Sequence, residues 1–291
     1  AKNGEIDIVE HTHKIIEKCR KINQEYNYFN TISEELALEQ ANEIKRQLKD
    51  KDKNIRNKKL LGVAVSLIDS ICVSGVESTA VSRILKGYKP LFNASVVEKA
   101  ISEGVIIIGK TSQDEFGFGS FSIYSGFKVP KNPLDTERSC GGSSGGAAGI
   151  TKKANFPHIA MGESTGGSIA EPASFCDVFG LCPTYGRVSR HGLIDFGNSL
   201  DKIGVLGKTC HETALLQEVI SCYDENDSTS LKIESESYSS SLKKPINGMK
   251  IGIIKEAFGS GVEREVENKV YDAINKLEEE GLRRNTIVVF L

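Results

Sequence analysis

The sequence has no dominant charge. Its 37 basic and 39 acidic side chains leave a formal net charge of -2, which removes the global basic field that would argue for nucleic acid and leaves only a local basic surface open. It has no stretch approaching the ~18 consecutive apolar residues of a membrane span, and its opening residues, AKNGEIDIVEHTHK, contain no signal-peptide core. It has no C-x-x-C pair. The seven cysteines, at 19, 72, 140, 176, 182, 210 and 222, are odd in number and scattered, which argues against a disulfide framework and a zinc site, and for reduced thiols in a cytoplasmic protein. No internal repeat is evident. The chain opens on Ala1 instead of Met and stops inside TIVVFL (286–291), which reads as a buried strand. We therefore expect residues in front of it and a C-terminally incomplete fold.

What is present is enough apolar material for a sizeable core: 39% of the 291 residues are hydrophobic and 26% charged. Residues 5–53 read as helical, with Ile6, Ile8, Val9, Ile15 and Ile16 in a first segment and Leu36, Leu38, Ile44 and Leu48 in a second. LLGVAVSLID (60–69) reads as a buried strand. Asn93 is placed to cap a helix carrying Val96, Val97, Ala100 and Ile101, ended by Gly104 and followed by the strand VIII (105–108). The pattern returns late, with the strand MKIGII (249–254) and then a helix with Val262, Val266, Val270, Ile274 and Leu277 on one stripe. Strands alternating with helices predict an α/β fold with a mixed, mostly parallel central sheet covered by helices on both faces. Residues 110–207 are glycine-rich and predict a site built from loops. The Ser-rich segment 224–248 reads as a surface excursion, not a domain boundary.

Two glycine–serine stretches carry the candidate chemistry. In GESTGGSIAEP (162–172), a strand runs into a Gly-Gly turn and then a helix. The N–H groups of Thr165, Gly166, Gly167 and Ser168 could converge on one oxygen, as an oxyanion hole requires, with Ser168 as nucleophile; the alternative is a glycine turn capped by a serine. In CGGSSGG (140–146), the G-x-S-x-G spacing centres on Ser144, but a nucleophile elbow needs a strand before it and LDTERSC is too polar. No histidine (11, 13, 158, 191 or 211) sits in a context that completes a triad, and the S-x-x-K spacings at Ser240/Lys243 and Ser241/Lys244 fall in the Ser-rich segment by chance.

Taken together, GGSSGG and, about two dozen residues on, GGS followed by I-x-x-P-x-x-F-C resemble the amidase signature family. IIGKTSQDEFGFGS (107–120) and FGLCPTYGRVSRHGLIDFGNSLDKIG (179–204) extend the resemblance on either side. Within the family, the wording is most similar to the glutaminase branch that serves tRNA-dependent glutamine amidotransferases. The resemblance implies a Ser-cisSer-Lys mechanism that releases ammonia from glutamine to amidate mischarged Glu-tRNA(Gln) or Asp-tRNA(Asn). Ser168 matches the acyl-ester nucleophile, and Ser143, after a non-prolyl cis peptide, matches the proton relay. Thr165, Gly166 and Gly167 match the oxyanion turn, while Gly142, Ser144 and Asp69 match structural positions beside it. It further implies partner subunits B and C, tRNA contact only indirectly, no cofactor or metal in this chain, and ATP and Mg used by a partner. The expected organisation is an N-terminal helical segment, 1–59, packed on an amidase signature domain, 60–291.

The match departs where the base should be. The family motif G-(V/I)-P-V-x-(V/I)-K-D corresponds to GVAVSLID (62–69), so Ile68 occupies the lysine position and Ala64 that of the proline. Isoleucine cannot accept a proton. Lys58 and Lys59, about ten residues upstream, would lie roughly 30 Å away along an extended strand, and Lys110 matches a lysine that the family has anyway. Ser164 stands where an Asp usually precedes the oxyanion turn, with Glu163 one residue earlier; Ala170 stands for an Arg, and Asp177 for a glycine, a costly place for a charge if buried. The linker between the two serines is one residue longer than usual. These departures leave two further readings open: a stand-alone amidase with a different substrate, and a catalytically impaired homologue with a binding role.

Overall fold

In the computed structural model, which describes residues 6–50, 53–234, 236–247, 249–253, 258, 261–281 and 283–284, the chain begins with helix α1 (Ile8–Tyr26). The Asp7 carboxylate caps it by accepting from the N–H groups of Val9 and Glu10, and Asn27, at φ 62°, closes it in the left-handed region. That closure interrupts the helical stretch expected over 5–53. Asn23 turns its side-chain amide onto both backbone groups of Phe29, and Phe29–Ile32 forms strand β1 before helix α2 (Glu34–Lys49) and the short α3 (Lys53–Asn57). The apolar runs then appear where the sequence places them: β2 (Ala64–Ile68), α4 (Ser95–Ser102) and β3 (Ile106–Thr111). Asn93 does not cap α4; its side-chain oxygen accepts from Ser74 N, and Ala94 holds the cap position.

After a long irregular stretch come α5 (Gly145–Lys153), β4 (His158–Ser164), α6 (Ala170–Cys176), β5 (Phe179–Leu181), β6 (Lys202–Gly207) and α7 (Cys210–Ile220). Helix α7 starts at a capping box in which Thr209 and Glu212 each bond the other's backbone N–H. The elements α8 (Tyr238–Ser241), β7 (Lys250–Ile251), α9 (Arg264–Glu279) and β8 (Arg283–Arg284) complete the chain.

Two compact units result, 1–239 and 240–291. Their boundary falls inside the Ser-rich segment, where the sequence suggests an excursion without a boundary. The polar start of that segment is anchored within the first unit: Ser189 Oγ donates to Asp224 and Arg190 N to Asp227. In the second unit β7 and β8 pair in parallel around α9. The segment TIVVFL lies outside the described residues.

The first unit is built on a six-stranded sheet in the order β1-β3-β2-β4-β6-β5. Its centre, β3-β2-β4, is parallel, and β1, β6 and β5 are added antiparallel at the two sides. Side chains alternate between two apolar layers, as the strand period of two requires. Ile106 and Ile108 of β3, Ala160 of β4 and Leu206 of β6 pack with α1, α2, α5 and α6. Val65 and Leu67 of β2, Ile107 of β3, Ile159 and Met161 of β4, and Ile203 and Val205 of β6 pack with α4 and α7. Helices therefore cover both faces, and each fully buried Leu, Ile or Val contributes about 1.5–3 kcal/mol to holding them there.

Candidate active site

Because β2, β3 and β4 run parallel, their carboxyl ends lie along one edge of the sheet, where open α/β sheets place their ligands. That edge gathers Ile68 at the end of β2 and Asp69 after it, Lys110 and Thr111 at the end of β3, and Glu163 and Ser164 at the end of β4. The stretch leading into α5 folds over the same edge and brings Ser143 to it.

Hydrogen bonds tie the two serine turns together. The Gly142–Ser143 peptide is cis. The Ser143 carbonyl accepts from Asp114 N (3.2 Å) and Ser122 Oγ (3.0 Å). Asp114 in turn accepts from Ser122 N and Tyr124 N. A β-carbon on Gly142 would sit 2.4 Å from the Asp114 carboxylate, so only glycine fits there. Ser144 N donates to the Ser168 carbonyl at 3.2 Å, and Cys176 Sγ of α6 reaches the Cys140 carbonyl at 3.4 Å. Ser144 Oγ donates to the Glu163 carbonyl at 3.1 Å and receives the Glu163 N–H at 3.3 Å. Ser144 is thus a fully buried brace between turn and strand. No strand precedes it, so the elbow arrangement is absent.

The hydroxyl of Ser143 is different. It is buried and finds no hydrogen-bond partner among the described residues. Ser168, 7% exposed, is joined to the Ser143–Ser144 turn through its backbone and makes no bond to the Ser143 hydroxyl. The N–H groups of Thr165, Gly166, Gly167 and Ser168 donate to no acceptor among the described residues. A β-carbon on Gly166 or Gly167 would meet nothing within 4 Å, so the turn faces open space. Lys202 Nζ supports the turn from behind by donating to the Thr165 carbonyl at 3.0 Å. Four unengaged N–H groups beside a serine suit an anionic oxygen.

At the end of β2 the charged groups are matched, while Ser70 Oγ and Gln113 Nε2 beside them find no partner among the described residues. Ile68 is fully buried and belongs to the apolar layer of Leu67, Ile71 and Val73; it offers Ser143 nothing polar. Asp69 is also fully buried, and one of its oxygens accepts from Asn30, Thr79 N and Oγ1, and Val81 N. Lys110 is fully buried beside it, with Nζ 3.1 Å from the Asp69 carbonyl, 2.8 Å from Ser78 Oγ and 3.5 Å from the Asp69 carboxylate. Burial pulls the Lys110 pKa down while Asp69 opposes the fall. Lys59 pairs with Glu218 of α7, so neither it nor Lys110 stands in for the base.

Glu163 is the residue sequence reasoning underrated. Its carboxyl is buried, and one oxygen, Oε1, has no hydrogen-bond partner among the described residues. Burial, reinforced by the adjacent Asp201 carboxylate and opposed by Lys202, pushes its pKa up to about 8. Asp201 is itself held by the N–H groups of Phe196 and Gly197. The signal in the sequence was a charged residue inside an otherwise apolar strand. His158, at the opposite end of β4, contacts Ser66 Oγ at 3.0 Å, and burial lowers its pKa to about 3; it is a neutral core group.

Of the other departures, Asp177 is exposed and paired with Lys152 at 2.5 Å, so no charge is buried there, and Ala170 is exposed at the first turn of α6. Among the described residues, no group of three or more His, Cys, Asp or Glu is placed to hold a metal ion, and no helix is long and apolar enough to cross a membrane.

Comparison with known proteins gives the family of the chain. The family model described as Amidase matches residues 10–288. The A subunit of glutamyl-tRNA(Gln) amidotransferase from Thermoanaerobacter pseudethanolicus is 42% identical over 280 residues, covering 96% of this chain and 56% of that protein. The protein of the same name from Methanosarcina mazei is 44% identical over 270 residues, covering 93% and 54%. Among solved structures, the same glutamyl-tRNA(Gln) amidotransferase component from Thermotoga maritima superimposes with a TM-score of 0.81 at 33% identity, covering 96% of this chain and 58% of that one. The native peptide amidase of Stenotrophomonas maltophilia gives 0.85 at 25% identity, covering 99% and 60%. The chain spans little more than half the length of these relatives.

Proposed function

The chain belongs to the amidase family, and from that premise we propose that it is the glutamine-hydrolysing part of a tRNA-dependent amidotransferase, acting through an acyl-enzyme on Ser168. The observation that carries this reading is the joining of the Ser143–Ser144 turn to Ser168, beside N–H groups of 165–168 that donate to no acceptor among the described residues.

In this reading Ser168 Oγ attacks the carboxamide carbon of glutamine. The N–H groups of Thr165, Gly166 and Gly167 hold the developing oxyanion, and the proton leaves Ser168 through Ser143. Ammonia departs, water cleaves the acyl-serine, and glutamate is released. The ammonia serves amidation of mischarged Glu-tRNA(Gln) or Asp-tRNA(Asn) by partner subunits B and C, in the cytoplasm. The partner carries ATP and Mg, and this chain meets tRNA only indirectly. Gly142, Ser144 and Asp69 act structurally.

A serine-reactive fluorophosphonate probe tests the core of this proposal. We expect a single adduct on Ser168, located by peptide mass spectrometry and abolished in Ser168→Ala. Labelling at another serine, or none at any pH, overturns the reading. A second reading is favoured by one observation, a buried isoleucine at 68 together with an unpartnered Ser143 hydroxyl: a homologue that binds an amide without turning it over. It predicts glutamine binding in calorimetry with no ammonia release in the presence of the partner subunits.

A further inference from the structure

The lysine position is filled by a hydrocarbon, yet two buried polar atoms near the serines are left without partners among the described residues: Ser143 Oγ and Glu163 Oε1. Buried polar atoms are rarely left unmatched, and those that are call for an explanation such as a catalytic role. Both groups face the same glycine. A β-carbon on Gly117, which sits at φ +79°, would lie 2.8 Å from Glu163 Oε2 and 3.7 Å from Ser143 Oγ. Glu163 Oε2 and Ser143 Oγ therefore lie within about 6.5 Å of each other, a span that one water molecule can bridge.

The change that put a carboxylate here is a one-residue displacement. The resemblance expects an acid at 164, where this chain has Ser164, and the acid is found at 163. Successive strand residues point to opposite faces, so the displacement moves the carboxylate across the sheet. In the register of β4 and β6, Ser164 lies opposite Lys202 and Glu163 opposite Ile203.

We propose that Glu163 is the proton acceptor for Ser143 in this chain, in place of the lysine that Ile68 replaces. The inference rests on Ser168 being acylatable. As the Ser168 O–H bond breaks and Oγ bonds to the carbonyl carbon, the Ser168 proton passes to Ser143 Oγ. The proton of Ser143 passes to the Glu163 carboxylate. When the C–N bond breaks, that proton returns through Ser143 to the departing nitrogen, which leaves as ammonia with Glu163 ionised again. Hydrolysis repeats the cycle: water gives its proton to Glu163 through Ser143, and Ser168 Oγ recovers it as the acyl bond breaks.

The charged and titratable groups around Glu163 set when it can accept. Asp201 lies just before β6, Lys202 within it and Cys182 after β5; Asp201 and Lys202 act on Glu163 in opposite senses. Asp114 lies on the loop that leads to Gly117, with its oxygens committed to Ser122 and Tyr124. Burial and Asp201 keep Glu163 protonated near neutrality, with a pKa of about 8. It becomes a base only above that pH, so activity is poised on the alkaline side.

The test is the rate of fluorophosphonate labelling of Ser168 from acid to alkaline pH. In the unaltered chain the rate should rise with pH through an inflection near 8. Glu163→Gln should lower the alkaline plateau about 100-fold and remove the inflection. Glu163→Asp should keep an inflection at reduced rate, and Ile68→Lys in the Glu163→Gln background should restore labelling. A flat profile, or a Glu163→Gln variant that labels like the parent, overturns the proposal while leaving the Ser168 reading intact; no labelling of Ser168 at any pH overturns both. Should Glu163→Gln fail to fold, carbon-13 NMR of the glutamate carboxyls in the parent decides. A carboxyl titrating together with the labelling rate supports Glu163 as acceptor, and its absence refutes it.

Discussion

The carboxyl ends of β2 and β4 lie on one edge of one sheet and bury polar groups of the same kinds, but treat them in opposite ways. After β2, Asp69 and Lys110 are fully buried and bonded to each other, to Ser78, Thr79 and Asn30, and to the backbone of Val81. The network also anchors a contorted turn: Ala80 and Val81 sit at φ 46° and 55°, an unusual region for a β-branched residue that costs of order 1–3 kcal/mol unless its surroundings enforce it. After β4, the Glu163 carboxyl, the Ser143 hydroxyl and the N–H groups of 165–168 are left with free bonding capacity among the described residues. The difference lies in the charged groups: after β2 Asp69 and Lys110 are matched, although Ser70 Oγ and Gln113 Nε2 find no partner among the described residues, whereas the Glu163 carboxyl keeps an unmatched oxygen that is available to a reacting molecule. In the proposed mechanism the chemistry belongs to the second end, while Asp69 and Lys110 keep the framework of the first.

The largest stability effect should therefore come from the end of β2. Asp69→Ala removes the counter-charge from a Lys110 that has no route to solvent, and the acceptor that holds Val81 N. Breaking one partner of such a pair costs about 3–5 kcal/mol. We expect the urea midpoint to fall accordingly, with Asp69→Asn intermediate because the amide oxygen keeps part of the set. A loss below about 1 kcal/mol, the range of an exposed pair, would show that the two ends are not as different as their hydrogen bonds suggest.

How much of this was legible in the sequence follows the same division. The strands were visible because GVAVSLID and VIII are short apolar runs, and the two serine turns because glycine clusters are local signals. Strand β1 was not visible: FNTI follows a helix with only Asn27 to mark the stop, and what makes it a strand is distant pairing with β3. The unit boundary after Ser239 was hidden in a segment that is polar on both sides of it. At the site, the roles proposed for Ser143, Ser168 and position 68 come from the resemblance of the surrounding motifs, because spacing alone left the glycine–serine turns open to a purely structural reading. For Glu163 the sequence offered only a charge in an apolar strand; the burial that raises its pKa, with Asp201 adding to it, depends on residues remote in sequence.

A second experiment compares the two ends of β4 through pH. Glu163 is raised from 4.5 to about 8, so the folded state holds a proton that the unfolded state has lost. Its contribution is fully present below 4.5 and declines as pH rises toward 8. His158 is lowered from 6.5 to about 3, so the unfolded state takes up the proton first. Its contribution is fully present above 6.5 and declines as pH falls toward 3. Each group changes stability by at most about 1.4 kcal/mol per pH unit inside its window. Denaturation of Glu163→Gln should lack the first slope and that of His158→Gln the second. A parent curve with neither slope would mean that neither group is buried in the form the structure gives it.

The smallest effect should come from Asp177, a departure from the family pattern that touches neither strand end. Two terms oppose each other in Asp177→Gly. The variant loses the ion pair with Lys152, whose carboxylate side is 74% exposed, and such pairs contribute about 0–1 kcal/mol. It also relieves a left-handed residue, φ 54°, at the C-terminus of α6, where a non-glycine residue costs roughly 1–2 kcal/mol and an aspartate toward the low end. The backbone term is slightly the larger, so Asp177→Gly should be neutral to about 1 kcal/mol more stable, seen as a rise of a few degrees at most in Tm. The rate of Ser168 labelling should not change, because Asp177 bonds no group of the two serine turns. A fall in labelling without a fall in stability would instead tie the far end of α6 to the reacting groups, and would extend the open site beyond the end of β4.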